Sequence, residues 1–367
     1  MRKNLLPALG LLLVTHFAVG QKVYQYAVPP QQMDGWETEN LLQEIADTTL
    51  LFNFFNKMIN EDHQVHSILL VKDGKLVLEE YFGEYKADQT HDLRSATKSI
   101  RSLLVGIAKD KGFIESVDDP ISKYLKDLKP EKNPDPRKEQ ITIRHLLTMS
   151  TGLDCNDWDK SSKGQEDKVY KKKDWLQYTL DLPMVRDPGD SALYCSMGVV
   201  LAAEVVSQAS GMSIDAFAEK YLFTPLGIEN VQWGHTTTGR DIIPSGKRLY
   251  MTSRDFAKIG QLVMNHGAWG DQQIVSTDWI RQATERQTNL AGLDYGFLWW
   301  SIPFQIGDEL KKETVATGNG GQYLMLFPEL NLVAAFTGGA YNSDDDKFPF
   351  AIMNRVLLPL FIQPSHK

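Results

Sequence analysis

Ser95-Ala96-Thr97-Lys98 sets a hydroxyl and an amine three residues apart. On the first turn of a helix, positions i and i+3 share a face, so the two groups meet. A serine hydroxyl is a weak nucleophile at its free pKa and needs a base beside it. Lys98 is that base if its own pKa is lowered; otherwise its charge lowers the pKa of a neighbour. A helix N-terminus also favours negative charge developing near Ser95. By itself, S-x-x-K reads more simply as a capping serine followed by a surface lysine.

Company changes that reading. Tyr194-Cys195-Ser196 lies about a hundred residues on, just before a helical pattern, and Ala316-Thr317-Gly318-Asn319-Gly320-Gly321 lies just before an apolar run at Tyr323. A serine and lysine, then a tyrosine turn, then a Thr-Gly strand edge, in that order, resemble the serine β-lactamase and penicillin-binding-protein superfamily. The chain is most similar to its class C-like branch of β-lactamases, carboxylesterases, D-amino-acid peptidases and 6-aminohexanoate-dimer hydrolases. Further segments carry the likeness: Ser116 to Leu125 (SVDDPISKYL), Ile141 to Leu153 (ITIRHLLTMSTGL), Tyr221 to Ile228 (YLFTPLGI) and Tyr295 to Trp300 (YGFLWW). Ala316 to Pro328 (ATGNGGQYLMLFP) most resembles the 6-aminohexanoate-dimer hydrolases. The likeness spans roughly residues 60 to 345.

The resemblance implies roles. Ser95 is the expected nucleophile, Lys98 its hydrogen-bonded partner, and Tyr194 a base or proton shuttle if Lys98 stabilises its phenolate. The backbone N–H groups of Ser95 and Asn319 are the expected oxyanion hole. Ser196, Thr317, Gly318 and Trp300 are expected to touch substrate, with Trp299 and Trp300 serving either cleft or core. Two positions depart from the pattern. Ser196 stands where the Tyr-x-Asn motif has an amide, and a hydroxyl is shorter, with fewer bonds to offer. Ala316 stands where β-lactam-active relatives carry Lys or His, so a β-lactam carboxylate loses a partner. Weak or absent β-lactamase activity follows, unless Lys247 or Arg248 supplies the charge from another loop. The implied activity is a serine hydrolase acting on small or peptide-like esters or amides through an acyl-enzyme. The alternatives are a D-amino-acid peptidase or penicillin-binding activity, and a silent binding protein on the same scaffold.

Other chemistries have weaker support. The chain has no G-x-S-x-G elbow, no H-E-x-x-H and no paired C-x-x-C, so no metal or other cofactor is expected. His145 reads as a structural histidine. Asp344-Asp345-Asp346 reads as an acidic surface loop rather than a calcium site, and Lys171-Lys172-Lys173 as a solvated face. Cys155 and Cys195 are the only cysteines. Two buried thiols are the default, and export would permit a disulfide that braces Tyr194.

The remaining sequence must position these groups. Its 367 residues are 42% hydrophobic and 23% charged, which suits a sizeable core and excludes a disordered or disulfide-stapled small chain. A net charge of −8 without a basic domain argues against a nucleic-acid partner. Residues 1–20 read as a secretory signal: Arg2 and Lys3, an apolar run from Leu5 to Val14, then Ala18-Val19-Gly20. The mature protein, residues 21–367, is therefore expected in the periplasm or secreted, with no membrane anchor after cleavage. Leu41 to Met58 has helical spacing (Leu42, Ile45, Leu50, Phe54), as do Ile100, Leu103, Leu104 and Ile107, with Gly112 as the stop. Ser67 to Val71 and Leu76 to Phe82 read as a hairpin turned by Asp73-Gly74. Residues 127–140 and 156–174 are polar and read as surface loops. Residues 197–206, 213–222 and 350–361 read as helices, and Tyr323 to Phe327 and Leu332 to Phe336 as strands. The economical fold is α+β: an antiparallel sheet built from both chain ends, about 36–112 and 285–367, beside a mostly helical lobe of about 113–284.

Overall fold

A computed structural model describes residues 21–234 and 243–362; the expected signal segment, residues 1–20, lies outside them. Among the described residues, nine strands form one sheet drawn from both chain ends. Their spatial order is Glu37–Thr38, Lys75–Tyr81, Val65–Lys72, Leu332–Gly338, Gln322–Phe327, Glu309–Gly318, Trp300–Ile306, Leu293–Tyr295 and Thr288–Leu290. Every pairing is antiparallel except the short parallel contact of Glu37–Thr38 with Lys75 and Leu76. Asp73 and Gly74 both take positive φ, 49° and 80°, as a type I′ turn requires.

The central strands are apolar on both faces because both faces are covered. Leu324 and Leu326 pack with Ile100, Leu103 and Ile259, while Tyr323, Met325 and Phe327 pack with Leu51, Phe55 and Met353 on the other side. Gly260 lets the Ser253–Met264 helix lie against the sheet, since a Cβ there would come 2.7 Å from Val333 Cγ1.

Three helices differ from the sequence pattern, each for a local reason. Leu41 to Met58 is broken into Leu41–Glu44 and Thr49–Met58, because the Asp47 carboxylate accepts the Thr49 N–H and restarts the chain. The break shifts the buried phase to Leu51, Phe55 and Met58, leaving Leu50 36% exposed. The helices at 213–222 and 350–361 each widen into a π turn, Glu219–Phe223 and Met353–Leu357. A proline follows two residues beyond each turn, Pro225 and Pro359, and the wider turn accommodates its missing N–H. The middle of the chain also holds strands, Gln232–Gly234 and Arg248–Met251, which join His91–Asp92 in a small sheet. Among the described residues, no single helix is long and apolar enough to cross a membrane.

Candidate active site

Ser95 sits in a 3-10 turn, Arg94–Ala96, that feeds directly into the helix Thr97–Asp110. The turn is tight: Arg94 has φ 49°, a left-handed conformation that costs energy for a side chain with a Cβ. Its surroundings hold it there. Asp92 accepts the Arg94 N–H at 2.9 Å and lies 3.1 Å from its Nε, while the guanidinium lies 4.4 Å over the Tyr341 ring. Leu93 donates to Leu249 O, and Leu249 N donates to Thr97 Oγ1, tying the turn to the small sheet.

The end of the Glu309–Gly318 strand approaches this turn from the large sheet. A Cβ on Gly318 would come 2.3 Å from Leu93 O, so only glycine allows the two main chains to meet. This packing is the observed reason for a glycine after Thr317, and it brings Asn319 to the mouth of a cavity of about 230 Å³. Ser95, Lys98, Ser196 and Asn319 line it together, as the motif order implies. Gln322 pins the Asn319 turn, donating from Nε2 to Asn319 O and Gly338 O. The Asn319 side chain, which the sequence left unassigned, donates to Asn342 Oδ1 at 3.2 Å.

Lys98 is 9% exposed, and its Nζ donates to Ser95 Oγ at 2.8 Å. The same Nζ lies 4.9 Å from the centre of the Tyr194 ring. Trp300 stacks on Tyr194 with centroids 6.2 Å apart, whereas Trp299 is buried in the core. Trp300, half-buried, packs against the same core.

The second wall comes from the segment read as a solvated loop. Cys155 and Cys195 are joined as a disulfide, which corrects the default of two free thiols. The bond draws residues 155–170 against the tyrosine turn. Trp158 stacks flat on Tyr194, 4.9 Å between centroids and 3° between planes, yet remains 57% exposed. The Ser196 N–H donates to Asp157 Oδ2 at 2.7 Å, and the Ser196 hydroxyl donates to Glu166 Oε2 at 3.2 Å. Tyr170 donates to the same oxygen at 2.6 Å, and the Glu166 N–H to Asp157 Oδ1 at 3.1 Å. Desolvation, with the Glu166 charge adding to it, pushes the Asp157 carboxyl up to about 6 against the pull of Lys98. Glu166 is also raised by burial, but the Lys98 charge, the Tyr170 and Ser196 bonds and the Arg248 charge outweigh that and hold it below its usual value. Lys171, Lys172 and Lys173 are exposed.

Sequence reasoning missed Asp157, Trp158, Glu166 and Tyr170. One available signal was Ser196: a short hydroxyl in place of an amide needs an acceptor brought to it. Ala316 is buried in the sheet and brings no cation, but Arg94, Arg101 and Arg248 line the cavity. Arg248 lies 3.5 Å from Asp92. His145 closes a capping box with Thr142 at the start of the Ile143–Leu147 helix, consistent with a structural role. Asp344 pairs with Lys347 on the surface.

A sequence model of the Beta-lactamase family matches residues 56–354. The chain belongs to the Beta-lactamase family. Members of this fold family are serine hydrolases, and the chain is a β-lactamase-related serine hydrolase by that membership. It is 22% identical to 6-aminohexanoate-dimer hydrolase of Paenarthrobacter ureafaciens over 296 residues, 74% of this chain and 72% of that one. Among solved structures it resembles EstCE1, a hydrolase with promiscuous acyltransferase activity (TM-score 0.68, 13% identity, 86% of this chain and 98% of that one). It also resembles a class C β-lactamase (TM-score 0.61, 13% identity, 83% and 93%). The structural likenesses confirm the α+β fold, and the family match agrees with the superfamily that the motifs point to.

Proposed function

We propose that the protein is an exported hydrolase that cleaves small ester or amide bonds through an acyl-enzyme on Ser95. One observation carries this reading: Lys98 Nζ stands 2.8 Å from Ser95 Oγ and 4.9 Å from the centre of the Tyr194 ring, bringing hydroxyl, amine and phenol side chain together. Ser95 Oγ attacks the carbonyl carbon, and the carbonyl electron pair moves onto its oxygen. The N–H groups of Ser95 and Asn319 receive that oxyanion. The Oγ proton passes to the Lys98–Tyr194 pair, which accepts it only while the amine or the phenol is unprotonated, then to the leaving oxygen or nitrogen as its bond to carbon breaks. Water repeats the sequence and regenerates Ser95. Export is supported by the leader pattern of residues 1–20 and by the Cys155–Cys195 bond, which suits an oxidising compartment.

The test is hydrolysis of p-nitrophenyl butyrate by the mature chain beside Ser95→Ala. Turnover by the wild type and background by the variant is the expected pair of results. Equal rates in both would overturn the assignment of the nucleophile. A second reading, a peptidase for substrates ending in a free carboxylate, is favoured by Arg94 and Arg248 in the cavity lining. Covalent labelling by a penicillin, and loss of turnover when a peptide's terminal carboxylate is amidated, would move this reading ahead.

A further inference from the structure

The cavity that opens at Ser95 runs on along the nucleophile helix. Ser95, Lys98 and Arg101 follow at every third residue, and all three line it. Exposure falls in that order: Ser95 is half-buried, Lys98 is 9% exposed and Arg101 5%. At a rise of about 1.5 Å per residue, Arg101 lies about 9 Å along the axis from Ser95. Trp175, Met197 and Val200, all buried, add apolar wall. Arg101 is a guanidinium without an anion. Its Nη2 donates to the Lys247 main-chain oxygen, and its buried Nε has no partner. Arg254, buried to the same degree, is paired with Asp34 and Glu79, and the fully buried Lys258 with Asp255. Among the described residues no carboxylate pairs with Arg101. The two acids of the lining are engaged elsewhere: Glu166 accepts from Ser196 and Tyr170, and Asp167 from Gln165. Burial, with the Arg248 charge adding to it, pushes the Arg101 guanidinium down to about 10, which still leaves it charged at neutral pH. A tie to one carbonyl needs a donor, not a permanent charge, and a charge in so dry a place is costly until an anion meets it.

We propose that Arg101 forms an anion-binding subsite at the inner end of the cavity, and that the preferred substrates are esters or amides whose acyl chain ends in a carboxylate. The acyl part is the one that fits the inner end. It stays on Ser95 while the leaving group must depart before water enters, so the leaving group belongs at the open mouth. One guanidinium with an Nη already engaged suits a single planar carboxylate better than a phosphate, which needs more donors. The class is therefore the half-ester or half-amide of a dicarboxylic acid. The peptidase reading differs, since it puts the carboxylate on the leaving side. The proposal rests on the serine-hydrolase reading.

The experiment compares mono-p-nitrophenyl adipate with its methyl ester, in which the acid is capped, on the mature chain. Wild type should favour the free acid in kcat/KM by about tenfold or more, as a charge-assisted pair would give. Arg101→Gln keeps a donor for the Lys247 oxygen and removes the charge, and it should bring that ratio to about one. The ratio is read within each protein, so a general loss of activity cancels. A wild-type ratio near one, or a preference that survives in Arg101→Gln, overturns the proposal and leaves the hydrolase reading standing. Wild type that turns over neither ester faster than Ser95→Ala overturns the hydrolase reading, and the proposal with it. If Arg101→Gln gives no cooperative melt, chain length in the wild type decides. The preference should be lost with the half-ester of dodecanedioate, whose acid overshoots a cavity of about 230 Å³. A preference equal at both lengths is general attraction to the cavity's cations, and overturns the subsite.

Discussion

The two walls of the cleft are built from different materials. The wall that carries Ser95 and Asn319 is main chain: a 3-10 turn tied to a small sheet, and a strand end that reaches it because Gly318 has no side chain. The wall that carries Asp157, Trp158, Glu166 and Tyr170 is side chain: a polar segment held by one disulfide and a set of carboxylate bonds. Tyr194 stands where the two meet, adjacent in sequence to the disulfide and adjacent in space to Lys98. Reacting atoms need fixed geometry, which backbone ladders supply. Protonation states need adjustable charge, which side chains supply.

The sharpest break would come from Lys98→Met. It removes the group that joins the walls and leaves an apolar chain of similar length in a nearly buried place. We expect turnover to fall by about 10³-fold, with a lower melting temperature, because the buried Asp157 and Glu166 carboxylates lose the positive charge facing them. Retained activity would show that the chemistry does not run through the junction.

Next in size is the staple. The double change Cys155→Ser with Cys195→Ser should cost about 2–4 kcal/mol of stability. Turnover should fall with it, by about tenfold, because the bond fixes both Tyr194 and the loop bearing Asp157. If stability falls and the rate constant does not, the second wall keeps its shape without the bond, and its carboxylate network is sufficient alone.

This division also explains what the sequence disclosed. Ser95 and Lys98 were legible because their order with the tyrosine turn and the Thr-Gly strand edge resembles a known superfamily, while the buried face at Ile100, Leu103, Leu104 and Ile107 marks the helix under them. Asn319 was legible through the same resemblance. The segment 156–174 was not, because hydropathy gives a cavity-lining carboxylate and a solvated one the same score. What separates Glu166 from Lys171 is a contact with residues thirty positions away, supplied by a disulfide that two cysteines alone did not establish. The broken helix at Asp47 was missed for a similar reason: one side-chain bond, not periodicity, decided it.

A pH series separates the walls without mutation. The Asp157 carboxyl titrates at about 6, raised chiefly by desolvation. As pH falls through 6 it gains a proton, and the negative charge facing Lys98 is reduced, so kcat/KM should drop several-fold on that side. Stability should move the other way for this group. A carboxyl whose folded pKa lies above its unfolded value, about 3.9, binds its proton more tightly when folded, so its share of stability rises as pH falls from above 6 toward 4. Asp157→Asn should flatten both trends. An acid limb near 6 that survives in Asp157→Asn would belong to another group.

The smallest expected effect tests whether the second wall also selects substrate. Trp158 covers one face of Tyr194, and its own outer face is open to solvent. An exposed indole of that size is a shelf for an apolar or aromatic group, and a stacked pair contributes about 1 kcal/mol. Trp158→Ala should therefore raise KM for a phenylacetate ester by about fivefold while leaving kcat, and both constants for an acetate ester, nearly unchanged. If kcat falls equally for both esters, the ring serves to hold Tyr194 upright. The side-chain wall would then be doing the positioning that the main-chain wall does for Ser95, and the contrast between them would narrow to the materials used.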